Sequence, residues 1–139
     1  MNWLTWSLLS AAFAAATAIL AKIGIAGIDS NLATAIRTTV ILLFTWAIAW
    51  GTGALGSVGQ ISGRSWLFLM LSGIATGFSW LCYFRALSIG NASSVAPVDK
   101  LSVVFVIVFA GIFLGEKITF IKAVGGLLIA AGAIVLAFA

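Results

Sequence analysis

Apolar residues run in long uninterrupted blocks through this chain, and that feature limits the fold more than any other. Five segments carry about 20 mostly apolar residues, the length a helix needs to cross a hydrocarbon core: Trp3 to Ile25, Leu32 to Trp50, Trp66 to Ile89, Ser93 to Leu114 and Thr119 to Phe138. Charged residues are only 7% of the chain, against roughly 25% in a soluble domain, so the polar side chains cannot cover a water-facing surface. With lipid as solvent, each span must satisfy its backbone hydrogen bonds internally, and it does so as a helix. The expected architecture is an all-α integral membrane protein, one five-helix domain over residues 1–139.

The connections carry turn residues. Gly27 to Asn31 separates the first two spans, the Gly- and Ser-rich stretch from Gly51 to Ser65 is the longest loop, and Gly90-Asn91 is a tight turn. Gly115 is placed to cap the fourth span. The first segment lacks a basic start and ends at Lys22, which reads as a retained span rather than a cleaved signal. The lone Cys82 lies within the third span and is expected to be buried in apolar packing.

An odd number of spans puts the termini on opposite sides. The side of the N-terminus holds Arg64, Lys117 and Lys122; the other holds Lys22 and Arg85. Lys/Arg asymmetry in short loops sets orientation, and three against two is close to balance. Insertion in both orientations and a single orientation with a cytoplasmic N-terminus are both open on this count.

Arg37, Asp99 and Lys100 lie inside spans, roughly 7 to 10 Å from the nearest end at 1.5 Å per residue. Ionisable groups at such depth face a bundle interior or a wet cavity and are functional candidates. The structural alternative pairs Asp99 with Arg37 and lets Lys100 reach the interface. Positions 99 and 100 are about 100° apart on a continuous helix and are expected on different faces. Pro97, one turn into the fourth span, removes a backbone donor and is expected to kink the helix beside these charges.

Polar and small residues fall in helical stripes. They are Ser7, Ser10, Ala14, Thr17 and Ala21 in the first span, Thr34, Arg37, Thr38 and Thr45 in the second, and Ser72, Thr76, Ser79 and Tyr83 in the third. Such stripes either line a polar path or join helices, because small and hydroxyl residues favour membrane packing. Gly73/Gly77, Gly111/Gly115 and Gly125/Gly132, with Gly126 alongside, mark faces where backbones can approach closely.

The run from Tyr83 to Ser102, which contains Pro97-Val98-Asp99-Lys100, resembles the EamA family of the drug/metabolite transporter superfamily. So do Leu114-Gly115-Glu116-Lys117, the terminal stretch from Gly125 to Gly132, Lys22 and Arg37-Thr38. The resemblance covers essentially the whole chain. Typical members have ten spans in two inverted repeats, and this chain carries one repeat. The resemblance therefore implies an antiparallel, dual-topology homodimer that moves small metabolites by alternating access, in the inner membrane of a bacterial cell. Small multidrug resistance proteins, four-span relatives, assemble in this manner through a terminal helix with a similar glycine pattern. By that likeness Gly125 and Gly132 line the dimer contact. The essential membrane glutamate of those relatives corresponds to Ala14 here, so proton-coupled cation exchange by that carboxylate is not implied. Asp99, Lys100, Arg37, Ser10, Thr17, Ser79 and Tyr83 are the candidates for substrate binding or coupling.

Two other functional classes stand beside the transporter. A non-transporting membrane partner, or one half of a heteromeric lipid-carrier flippase, is the alternative. An enzyme is not expected. The chain has no His, and its acids, Asp29, Asp99 and Glu116, are not spaced as a catalytic pair or a metal-ligand set. No cofactor, metal or nucleic-acid partner is implied; the expected partners are a second copy, the bilayer and a small-molecule substrate.

Overall fold

Helix ends in this chain are set by a few capping residues. Asp29 accepts hydrogen bonds from the backbone N–H groups of Asn31 (2.9 Å) and Leu32 (3.1 Å). That satisfies donors that have no partner within the helix, and α2 accordingly starts at Ser30. The Thr119 side chain accepts from the Lys122 N–H at 3.3 Å, opening the last helix. The computed structural model describes residues 2–139, and its helices are α1 (Trp3–Gly24), α2 (Ser30–Gly51), α3 (Gly63–Ile89), α4 (Ala92–Asp99), α5 (Ser102–Phe113) and α6 (Phe120–Ala137). Among the described residues there is no strand. Five stretches are long and apolar enough to cross a membrane, with α4 and α5 together forming the fourth. Their ends fall within three residues of those expected from sequence.

Two features depart from the expected pattern. The loop after α2 is not irregular throughout: Gly53, at φ 73°, turns the chain into a 3₁₀ segment over Ala54–Gln60. This segment folds back on α2, and its Ala54, Leu55 and Val58 line an apolar groove with Thr45, Trp46, Ala49 and Leu69. The fourth span is also broken rather than continuous. Pro97 has no N–H to give to the preceding turn, and its ring crowds the carbonyl four residues back. Beyond it the backbone tightens to i→i−3 bonds, Lys100 to Pro97, Leu101 to Val98, Val103 to Lys100 and Val104 to Leu101, each at 3.0 Å. The irregularity thus falls at Lys100–Leu101, just past Pro97, and separates α4 from α5.

The helices form two compact groups. In one, α1 up to Lys22 joins α4, α5 and α6. Here α6 packs on both halves of the broken span. Gly126 is buried there, and a Cβ at that position would lie 3.3 Å from Ile107 Cδ1. Lys22 donates from Nζ to the Gly90 carbonyl at 2.8 Å, which fastens the end of α1 to the turn that opens α4. In the other group, residues 23–88, Arg37 of α2 lies over Trp80 and Phe84 of α3. Leu87 is fully buried. Most other large apolar side chains are exposed, as a helix surface facing lipid requires.

The glycines separate into different roles. Gly115 lies outside α5 at φ 68°, where it turns the chain so that the Glu116 N–H bonds to the Ala110 carbonyl at 3.1 Å. The Gly111/Gly115 pair is therefore not a helix-association face as read from sequence. Gly115 ends the span, and the space beside Gly111 is taken by Ile118. Gly125 and Gly132 have nothing within 4 Å of a built Cβ. Replacing Gly126 with Leu should consequently overpack the α5–α6 contact and cost about 1–3 kcal/mol. Thermal unfolding in detergent should show a lower midpoint for Gly126→Leu and little change for Gly132→Leu.

Candidate functional site

The break in the fourth span brings together two residues expected on different faces. Lys100 Nζ lies 3.1 Å from Asp99 Oδ2. Adjacent residues on a regular helix diverge by about 100°, but Asp99 is the last residue of α4 and Lys100 belongs to the turn. The lysine side chain can therefore fold back. Both groups remain open, with side-chain exposures of 56% for Lys100 and 36% for Asp99. They sit beside backbone that has left α-helical geometry, about 10 Å from the start of the span.

Arg37 is held differently. Its guanidinium carbon lies 4.5 Å from the centroid of the Trp80 ring and 5.3 Å from that of Phe84. Phe84 is 3% exposed, and Tyr83 meets it edge-on at 6.5 Å. Stacking over aromatic faces is worth roughly 0.5–2 kcal/mol. The residues weighed from sequence as partners, Arg37 and Asp99, are each engaged within their own group: Asp99 by Lys100, Arg37 by Trp80 and Phe84.

The hydroxyl stripes resolve in two ways. Thr34, Thr38 and Thr45 each donate to a carbonyl four residues earlier, at 2.8 to 2.9 Å, and Thr76 does so to Ser72 at 2.9 Å. These hydroxyls satisfy themselves on their own helices. Ser10, Ser72, Thr76 and Ser79 are exposed, while Thr17 and Tyr83 are half-buried. Among the candidates, Ser10, Thr17, Pro97, Asp99, Lys100, Gly125 and Gly132 lie in one group of helices, and Arg37, Ser79 and Tyr83 in the other. Cys82 is exposed rather than buried, because it falls off the Trp80–Phe84–Leu87 stripe. Among the described residues no His/Cys/Asp/Glu cluster could hold a metal ion.

Trp80 and Phe84 were not singled out from sequence. Their link to Arg37 spans more than 40 positions and leaves no local signature. The signal that could have found them is spacing: Trp80, Phe84 and Leu87 share one helical face.

Comparison with known proteins agrees with this architecture. Residues 1–138 match the EamA-like transporter family. The chain is 56% identical over 136 residues to a Sinorhizobium protein described as an uncharacterized transporter in the cobO 3′ region, covering 98% of this chain and 96% of that protein. No solved structure matches it. A match over the whole five-span repeat, with a full-length relative, places this multi-pass membrane protein in the EamA family.

Proposed function

We propose that the chain is a transporter of small metabolites that works by alternating access as an antiparallel pair of copies. The observation that carries this reading is the broken fourth span. A 3₁₀ stretch inside a helix often marks a functional hinge, and discontinuous helices form substrate sites in secondary transporters. Here the break carries the Asp99–Lys100 pair, which a single copy leaves open. A second copy, inverted, would cover that opening and supply the repeat that ten-span members of the family carry in one chain.

The direct experiment is uptake and efflux by purified protein in liposomes, screened across amino acids, amines and organic anions with and without a pH gradient. Movement of at least one class above protein-free liposomes is expected. Inactivity across the screen, with a stable complex formed with another membrane protein, would favour the partner reading.

Dual insertion has its own test. Reporters fused to the C-terminus should reveal both orientations. Two added Lys near Gly53 should trap the form with that loop in the cytoplasm, and two near Asp29 should trap the other. A single orientation in the unmodified protein would exclude the antiparallel pair.

A further inference from the structure

The chain has three carboxylate side chains, Asp29, Asp99 and Glu116, and each is committed. Asp29 caps α2 through two backbone N–H groups, Asp99 pairs with Lys100, and Glu116 pairs with Lys122 at 3.3 Å. Arg37 is half-buried on a membrane-spanning helix. Its guanidinium carbon lies over the rings of Trp80 and Phe84, and the Tyr83 side chain acts on it electrostatically. Ring contacts of this kind use none of the guanidinium's N–H donors in hydrogen bonds to oxygen. They leave its edge, which carries five N–H donors in a planar fork. That edge matches the two oxygens of a carboxylate or phosphate, which it can grip through paired charge-assisted hydrogen bonds. Because two rings hold the guanidinium, less side-chain freedom remains to be lost on binding. Phe84 is in turn buttressed by Tyr83, so the platform beneath the arginine is itself braced.

We infer that Arg37, held on Trp80 and Phe84, is a binding site for a single oxyanion, a carboxylate or a phosphate. Lysine cannot replace arginine at such a site, because an ammonium offers one point charge and no fork. The inference adds a ligand class to the transport reading and rests on it only for how the anion moves; binding at Arg37 stands or falls by itself.

The test is ¹⁹F NMR of 4-fluorobenzoate and 4-fluorophenyl phosphate added to the full chain in phosphatidylcholine nanodiscs, with 4-fluorobenzylamine as the cationic control. The anions should bind and the amine should not. Arg37→Lys keeps the charge and should weaken anion binding by about tenfold or more. Trp80→Leu keeps the arginine but frees its plane, and should weaken it several-fold. Equal binding by wild type, Arg37→Lys and Arg37→Gln would overturn the site, as would preference for the amine or failure of both anions to bind. Replacing part of the phosphatidylcholine with phosphatidic acid identifies the source of the oxyanion. Release of the aryl phosphate would identify a lipid headgroup as the occupant, and retention a soluble anion; either result supports the site. Intact anion binding without liposome transport would remove the transport reading alone, and transport without anion binding would remove this site alone.

Discussion

Asp99→Asn should abolish transport in liposomes while leaving a folded protein. The carboxylate is the intramembrane acid of the chain, and it lies where the fourth span departs from helical geometry. Two roles for it make opposite forecasts. If Asp99 serves only to neutralise Lys100, its removal strands a cation, and Asp99→Asn should destabilise the protein. The second change, Lys100→Gln, should then restore both stability and transport. If Asp99 binds substrate or a proton, Lys100→Gln should not rescue transport. The openness of the pair favours the second role. Lys100 occupies one side of the carboxylate and leaves the rest of it open to a ligand in the single copy. The double-mutant cycle, read separately for thermal stability and for transport, separates the roles. Full transport by well-folded Asp99→Asn would end the functional assignment.

The sequence carried the spans well because their signal is local and strong. Twenty apolar residues between turn residues leave little freedom in placing a helix, and Asp29, Thr119 and Gly115 sharpen its ends. What was not legible depended on geometry that one residue alters for its neighbours. Pro97 signals an irregularity, but not that the break falls at Lys100–Leu101. Without that location, Asp99 and Lys100 read as residues on diverging faces. Gly111 and Gly115 fit a helix-packing spacing only while both are taken as helical; Gly115 at φ 68° belongs to the turn. Cys82 illustrates a membrane-specific failure. In water an apolar thiol inside a long helix tends inward, whereas in a lipid-facing span the outward surface is equally apolar and gives no such direction. The seating of Arg37 on Trp80 and Phe84 depends on contact between two helices, which the pattern of either one alone does not record.

Gly125→Leu combined with Gly132→Leu should abolish both dimers and transport without preventing membrane insertion. The two positions are seven residues apart and lie on one face of α6. Gly132 is exposed and Gly125 half-buried in the single copy, and a built Cβ meets nothing within 4 Å at either site. Gly126, the glycine that does pack internally, points to Ile107 and holds α6 against the broken span. One side of α6 therefore serves the fold of this chain, and the proposed dimer contact lies on the face of Gly125 and Gly132. Membrane helices gain little from apolar burial against each other and associate through close backbone approach, which small residues permit. Leu at both sites would hold a second helix away; Ala would do so much less, and the Ala pair should retain most of the dimer. Cross-linking in mild detergent reads assembly, and liposome flux reads function. If transport needs two copies, the flux should fall in parallel with the dimer, and fusing two chains through a linker that allows the inverted arrangement should recover part of it. Unchanged dimers in the Leu pair would move the contact away from α6. Unchanged flux with dimers lost would show that one five-span copy transports alone, and the need for an inverted partner would fall with it.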